Sequence, residues 1–311
     1  MTAVQGLDTS NYTTSAAVYR SDGTGYNAGR LLDVPEGALG LRQSDALYQH
    51  VRRLPGQIAR LREAGMLEGL AAVGASTAPR AVEGSYMPCF LAGESQAKVL
   101  SDVLGVPFFA CSHQQGHVAA ACWSAGRPQL LDQSFLTWHL SGGTTELLLA
   151  QPVEDMPQMT ILGCTEDISA GQLIDRTGRM LDLAFPCGKA LDALAAESDS
   201  RELFRVKLRG LNFSLSGVEN QVKQRIDRGT SPADVAKFTL NTVADLVYRV
   251  TQAAQKVYPG LPVLCSGGVA SNSLLRNRME GALFAEPQYS TDNAMGVAIL
   301  THRALERGRL G

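Results

Sequence analysis

The two stretches that decide the fold are GLDTSNYTTSAAVY (residues 6–19) and HLSGGTTELLLA (residues 139–150). In each, an apolar strand turns through small, hydroxyl-rich residues into a second apolar strand. The second stretch thus repeats the pattern of the first and predicts two copies of one architecture. Around them, strand-like runs alternate with helical ones along the chain, which predicts an α/β fold.

Composition narrows the class of protein. The chain has 311 residues, 45% of them hydrophobic, which is enough for two medium-sized cores. Because the formal net charge is −2, any nucleic acid must bind a local patch or a partner. No apolar run reaches the ~20 residues of a membrane span, and the six cysteines contain no CxxC pair. We therefore expect a cytoplasmic protein with no membrane partner.

Two helix boundaries are predicted from local signals. SDALYQHVRRLPGQIARLRE (residues 44–63) has helical spacing, and we expect Ser44 to cap this helix and Pro55 to kink or split it. A second helix is expected to begin near Ser271, directly after a Gly-Gly turn.

A pair of histidines is the first candidate for chemistry. SHQQGHVAAA (residues 112–121) follows a predicted strand, and in a helix His113 and His117 would lie on one face. Both imidazoles could then reach one metal ion. Two unrelated histidines explain the spacing equally well. The motif is not the HExxH of zinc proteases, because Gln114 stands where a general-base Glu is required.

A third metal ligand is available in STDNA (residues 290–294), which contains Asp292. Considered alone, Asp292 is explained more simply as a helix cap, a role that Thr291 or Asn293 could equally fill.

Two Gly-Gly turns, SGGTTE (residues 141–146) and SGGVASN (residues 266–272), each follow an apolar strand. Their backbone N–H groups can approach phosphates closely, although a hairpin turn and a tight strand-to-helix turn explain them as well. No P-loop or dinucleotide fingerprint is present. Asp175 lies in an amphipathic helix, where it either pairs with Arg179 or accepts hydrogen bonds from ribose hydroxyls.

Seven segments together carry a family resemblance. They are GLDTSNYTTSAAVY, SHQQGHVAAA, HLSGGTTELLL, DISAGQLIDRTGRMLDLAFPCGKALDALA, FSLSGVENQV, SGGVASNSLLR and STDNA, in that order. In this order they resemble the TsaD (Gcp) family, the tRNA threonylcarbamoyladenosine transferases long misnamed O-sialoglycoprotein endopeptidases. The resemblance runs nearly from end to end.

The resemblance implies a two-lobed actin/hexokinase/Hsp70-like (ASKHA) fold with duplicated α/β domains that close over a nucleotide. Residues 1–132 with 294–311 would form an N-terminal lobe that carries the two histidines. Residues 133–293 would form a C-terminal lobe that carries the Gly-Gly turns.

The resemblance also implies the ligands. His113, His117 and Asp292 would bind one iron or zinc ion. Mg²⁺ is a candidate for an additional cofactor. An adenine nucleotide, either threonylcarbamoyl-AMP or ATP, would be held by Ser141, Gly142, Gly143, Asp175, Gly188 and Asn272.

The implied reaction moves the threonylcarbamoyl group of threonylcarbamoyl-AMP to N6 of the adenosine 3′ of the tRNA anticodon. Another enzyme would supply the adenylate. The tRNA would bind through a complex with TsaB-like and TsaE-like partners.

Departures from the family pattern are informative. Thr144 stands where the family commonly has His, and Glu219 stands where it has Lys. The opening turn has Asn11, Tyr12 and Thr13 in place of a cysteine and two acids, Cys187 replaces a glycine, and APRA (residues 78–81) replaces Gly-Pro-Gly. These changes alter charge where Mg²⁺, phosphate or tRNA would be handled.

Three other functions are compatible with parts of the pattern. A paralogue that binds nucleotide and metal with a regulatory or changed role would keep His113, His117 and Asp292. A metalloprotease is disfavoured by the missing Glu, and a kinase of the same superfamily by the missing acids of the opening turn.

Overall fold

The computed structural model describes residues 2–10, 12–34, 41–153 and 156–310, so Asn11 lies outside the described residues. Its strands are β1 (Ala3–Asp8), β2 (Thr13–Arg20), β3 (Gly25–Leu31), β4 (Leu70–Ala78), β5 (Phe108–Ser112), β6 (Phe135–Leu140), β7 (Thr145–Val153), β8 (Met156–Cys164), β9 (Leu208–Arg209), β10 (Asn212–Phe213), β11 (Val263–Ser266) and β12 (Leu283–Phe284). Its α-helices are α1 (Gln43–Glu63), α2 (Phe90–Leu104), α3 (His113–Ser124), α4 (Ala170–Met180), α5 (Gly188–Ala195), α6 (Ser216–Asp227), α7 (Pro232–Val257), α8 (Ser273–Arg278) and α9 (Met295–Leu310).

The first five-stranded sheet has the order β3-β2-β1-β4-β5. β2 is antiparallel to both β1 and β3, whereas β1, β4 and β5 run parallel. The apolar side chains of these strands and of α1 form a buried core that includes Leu7, Val18, Leu61 and Val73. The parallel strands bring the carboxyl ends of β1 and β5 to the same edge of the sheet, which is where ligand sites of α/β proteins form.

The second five-stranded sheet has the order β12-β11-β6-β7-β8. β6 is antiparallel to β7 and parallel to β11, so the turns that follow β6 and β11 lie at one edge. The core of this part of the chain includes the fully buried Trp138, Leu147, Leu173 and Phe238. The two stretches at residues 6–19 and 139–150 therefore each lead from a strand into an antiparallel strand. The predicted α/β class is confirmed.

Internal contacts divide the chain into two compact units. One comprises Met1–Gln133, Gln151–Met159 and Gln288–Gly311, and the other comprises Ser134–Ala150 and Thr160–Pro287. The division into two lobes at residues 132–133 and 293–294 stays a prediction.

Three local predictions can be compared with the helix boundaries in the structure. The predicted Ser44 cap is wrong, since α1 begins at Gln43 and is preceded by Arg42, whose side chain makes no capping hydrogen bond. Pro55 does not split α1, because it lies on the exposed side of the helix, where water can satisfy the carbonyl that loses its partner. The helix expected near Ser271 begins at Ser273, with Asn272 as its cap.

No helix among the described residues is both long enough and apolar enough to cross a membrane.

Candidate metal and nucleotide sites

A capping box fixes the start of α3 and thereby the position of His113. The side-chain oxygen of Ser112 accepts a hydrogen bond from the backbone N–H of Gln115, and the Gln115 side chain accepts one from the backbone N–H of Ser112 at 2.8 Å. His113 is therefore the first helical residue after β5, and His117 lies one turn further on the same face.

The structure brings His113, His117 and Asp292 together. Oδ1 of Asp292 lies 3.2 Å from Nε2 of His117 and 3.4 Å from Nε2 of His113. One ligand atom from each of the three residues lies within 4.8 Å of the others. The three side chains are 12–27% exposed, so the group is largely buried but reachable from solvent.

Two glycines allow this convergence. A Cβ at Gly296 of α9 would lie 1.7 Å from the carbonyl oxygen of Gly116 in α3, so the two helices touch through bare backbone. Gly116 stands just before His117, and Asp292 stands three residues before α9 begins. The alternative role of Asp292 as a cap is taken by Asn293, whose Oδ1 accepts from the N–H of Met295 at 3.1 Å.

Asp8 is a residue of this site that the sequence analysis did not identify. Its Oδ2 lies 2.6 Å from Nδ1 of His113, and its side chain is almost fully buried. Asp8 is the last residue of β1, and the parallel order of β1, β4 and β5 places it at the same edge as His113. Knowledge of that strand order would have been needed to find it.

The charge of each side chain in this group depends on its neighbours. Burial disfavours the charged form of His113, but the carboxylates of Asp8 and Asp292 outweigh it and raise the pKa of His113 to about 10. Burial would raise the pKa of Asp292, but hydrogen bonds from His113 and His117 hold it well below its usual value. Histidines and a carboxylate so arranged stabilise a cation among them, whether that cation is a proton or a metal ion.

The donor set fits the metal that the resemblance implies. Two imidazole nitrogens and one carboxylate oxygen suit iron or zinc and leave coordination positions for water or a substrate. His113 also has the outer hydrogen bond that metal-ligating histidines make through their second nitrogen. The role of the three residues as metal ligands stays a prediction.

The two Gly-Gly turns lie side by side. Ser266 of β11 pairs with His139 of β6, so the turns follow neighbouring parallel strands. Gly267 has a φ of +96°, and a Cβ there would lie 2.1 Å from the carbonyl oxygen of Leu140, which explains why the position needs glycine. At Gly142 and Gly143, by contrast, an added Cβ would meet no atom within 4 Å. A ligand can therefore approach the backbone of the first turn, where the N–H of Gly143 donates to the Ser141 hydroxyl at 3.3 Å.

The start of α4 packs against this first turn. Ser169, the cap of α4, donates a hydrogen bond to the carbonyl oxygen of Gly142 at 2.7 Å. A Cβ at Gly171 would lie 2.5 Å from the carbonyl oxygen of Ser141. The N-terminus of an α-helix carries a partial positive charge, so this arrangement favours an anion near the turn.

The other predicted nucleotide residues are linked through α5. Oδ1 of Asp175 accepts a hydrogen bond from the N–H of Cys187 at 2.9 Å, and no ion pair with Arg179 is found in the described part of the chain. Gly188, the first residue of α5, borders open space. Asn272 donates to Asp192 of α5 at 2.7 Å and accepts from the N–H of Leu275. The six predicted residues thus lie on directly connected segments, and their nucleotide contacts stay a prediction.

Two residues that depart from the family pattern have clear local roles. Glu219 accepts from Arg176 at 2.7 Å and from Lys223 at 2.9 Å, so an acidic side chain joins α4 to α6. Thr144 closes the first Gly-Gly turn, because its carbonyl accepts from the N–H of Ser141 and its N–H donates to the Ser141 hydroxyl.

Comparison with solved structures establishes the fold. Component A of the (R)-2-hydroxyglutaryl-CoA dehydratase of Acidaminococcus fermentans has a TM-score of 0.57 at 17% identity, and the match covers 97% of this chain and 98% of that one. Full-length HypF has a TM-score of 0.63 at 13% identity, over 99% of this chain and 47% of that one. The predicted actin/hexokinase/Hsp70-like α/β fold is confirmed by these neighbours.

Comparison of sequences establishes the family. A tRNA N6-adenosine threonylcarbamoyltransferase of Thermus thermophilus is 33% identical over 273 residues, which are 85% of this chain and 80% of that protein. The sequence profile of the TsaD family, described as tRNA N6-adenosine threonylcarbamoyltransferase, matches residues 43–299. The chain therefore belongs to the TsaD family, as the resemblance predicted.

Proposed function

We propose that this chain transfers the threonylcarbamoyl group of threonylcarbamoyl-AMP to N6 of the adenosine 3′ of the tRNA anticodon. The amine attacks the carbamoyl carbonyl and loses a proton, a C–N bond forms, the C–O bond to the phosphate breaks, and AMP leaves. Membership of the TsaD family supports this reaction. The observation that carries the proposal is the convergence of His113, His117 and Asp292 in a member of that family.

The three converging side chains would hold one iron or zinc ion. When bound, such an ion supplies Lewis-acid chemistry, which polarises a carbonyl or stabilises the charge of a leaving phosphate. His113 and His117 contribute the neutral nitrogens, and Asp292 contributes the negative charge that offsets part of the ion's charge. The partial burial of these side chains limits competition from water for the same positions.

The adenylate would be held by Ser141, Gly142, Gly143, Asp175, Gly188 and Asn272. Because a Cβ at Gly142 or Gly143 would meet nothing within 4 Å, phosphate oxygens could approach the backbone of this turn. The N–H of Gly143 donates to the Ser141 hydroxyl at 3.3 Å and would have to exchange that partner for a phosphate oxygen. The half-buried carboxylate of Asp175 can accept hydrogen bonds from ribose hydroxyls. Mg²⁺ would accompany ATP if ATP is the nucleotide bound.

Partners are part of the proposal because of the charge balance. A chain with a formal net charge of −2 offers little general attraction for the phosphate backbone of tRNA. We therefore assign tRNA binding to a complex with TsaB-like and TsaE-like proteins in the cytoplasm.

A second candidate is a paralogue that binds nucleotide and metal with a regulatory or changed role. The specific observation in its favour is Glu219, which engages Arg176 and Lys223 where the family commonly has Lys. An acid at this position removes one cation and neutralises two others, which weakens any phosphate contact there.

The test is a reconstituted modification reaction. The chain is mixed with threonylcarbamoyl-AMP, an unmodified tRNA transcript and the two candidate partners, and the tRNA nucleosides are analysed by mass spectrometry. The proposal expects threonylcarbamoyladenosine at the position 3′ of the anticodon. Binding of the adenylate without turnover under every combination of partners would contradict it and favour the paralogue.

A further inference from the structure

His113 is held between two carboxylates on opposite edges of its ring. Nδ1 faces Oδ2 of Asp8 at 2.6 Å, while Nε2 faces Oδ1 of Asp292 at 3.4 Å. Only Nε2 points toward the group formed with His117. A neutral imidazole binds a metal through the nitrogen that carries no proton, so the position of the ring proton decides whether Nε2 is available.

Asp8 is itself rigidly placed. Its other side-chain oxygen, Oδ1, accepts a hydrogen bond from the backbone N–H of Ser10 at 2.8 Å, and its own carbonyl accepts from the Ser15 hydroxyl at 3.2 Å. The side chain is 1% exposed, so water cannot replace its partners. Because one oxygen is taken by Ser10, the other faces His113 in a fixed orientation.

We infer that Asp8 is a positioning residue for the proposed metal site, because it keeps the ring proton of His113 on Nδ1 and leaves the lone pair of Nε2 free for a metal ion. The inference rests on the proposed function. In this proposal Asp8 is not a metal ligand and acts through its contact with His113. A histidine with its tautomer fixed in this way is oriented and is a stronger ligand.

The geometry predicts an unusual order of metal affinity for two variants of Asp8. In Asp8→Asn, the N–H of Ser10 still needs an acceptor, so the amide oxygen takes that position and the amide NH₂ turns toward His113. The ring must then accept at Nδ1 and carry its proton on Nε2, where it blocks the metal. Asp8→Ala leaves the ring free to take either tautomer. Asn should therefore impair metal binding more than Ala, although Asn is closer to Asp in shape.

The first experiment measures Zn²⁺ affinity by competition with a chelating dye. We expect a loss of about 10- to 100-fold for Asp8→Asn and a smaller loss for Asp8→Ala. Asp132→Asn is the matched control, since Asp132 pairs with Arg303 and Arg307, and this variant should bind Zn²⁺ as the wild type does. A purely structural role for Asp8 would lower the thermal stability of both variants and leave the affinity for Zn²⁺ unchanged.

The second experiment needs no variant of Asp8. Long-range ¹H–¹⁵N spectra of the Zn²⁺-loaded wild type, labelled at its five histidines, report which nitrogen of each ring carries the proton. The His113 signals are assigned by their loss in His113→Ala. The inference expects the proton on Nδ1 of His113, and a proton on Nε2 would overturn it. If the wild type binds no Zn²⁺, both the metal site and the inference fail, whereas binding with the wrong tautomer overturns the inference alone.

Discussion

Oδ1 of Asp292 lies 3.2 Å from Nε2 of His117, although 175 residues separate them in the sequence. This contact exists because α9 and α3 touch through the backbone of Gly296 and Gly116, where a Cβ on Gly296 would have no room. The metal site proposed here therefore depends on a packing contact as much as on its ligands.

Gly296→Ala tests that dependence. The new Cβ would meet the carbonyl oxygen of Gly116, so the helices must separate, and we expect a loss of about 3 kcal/mol in the free energy of unfolding together with weaker Zn²⁺ binding. Gly308→Ala in the same helix is the control, because its Cβ meets nothing within 4 Å. Urea unfolding and Zn²⁺ titration check both variants. Equal behaviour of the two variants would contradict this explanation.

Gly188→Ala separates nucleotide binding from folding. Its Cβ would enter open space, so the thermal midpoint of the free protein should stay within a few degrees of the wild type. If the adenylate lies against Gly188, the same methyl group should weaken AMP binding at least tenfold in isothermal titration. Unchanged AMP affinity would remove Gly188 from the proposed nucleotide site.

Asp167 predicts a specific pH dependence of stability. Burial opposes ionisation, but hydrogen bonds from the hydroxyl of Ser214 and from the N–H groups of Leu215 and Ser216 lower the pKa of Asp167 well below its usual value. A lowered folded-state pKa stabilises the protein above the unfolded-state pKa of about 3.9, and that stabilisation is lost as the pH falls below it.

Asp167→Asn should therefore lower the urea midpoint at pH 7, and the difference from the wild type should shrink between about pH 5 and pH 2. A difference that stays constant over this range would show that ionisation of Asp167 does not stabilise the fold.

Glu219→Gln should reduce stability modestly and in a salt-dependent way. Glu219 engages two cations, and its hydrogen bond from Lys223 and its contacts with Arg176 lower its pKa despite partial burial. Because the cations are about half exposed, we expect a loss of about 0.5–1 kcal/mol at low salt that decreases in 1 M NaCl. Glu94→Gln, which breaks one i,i+4 ion pair with Lys98, is the single-pair control and should lower the free energy of unfolding by less.

Local patterns predicted much of the fold and of the candidate site. The two strand-turn-strand stretches follow from local patterns, and the structure has them. The helix on which the pairing of His113 and His117 was conditional is α3. The residue at which a helix starts depends on individual capping hydrogen bonds, which local spacing does not determine. The expected Ser44 cap is therefore absent, and Asn293, rather than Asp292, accepts from the N–H of Met295.

Contacts between distant segments were beyond the reach of local patterns. Asp8 and His113 are 105 residues apart, and only the parallel order of β1, β4 and β5 brings them together. A different limit applies to β8 and α6. Neither was predicted from the sequence, since neither has a strong periodic pattern of hydrophobic residues. The resemblance to a family supplied the ligand set that spacing alone left open.

Restoration of activity by metal tests the central claim most directly. The reconstituted chain is stripped with a chelator, and formation of threonylcarbamoyladenosine in tRNA is measured before stripping, after stripping, and after one equivalent of Fe²⁺ or Zn²⁺ is returned. The proposed function requires that modification is lost on stripping and restored by the metal in the wild type, and that Asp292→Ala stays inactive with metal present. Modification that survives both stripping and Asp292→Ala would contradict it.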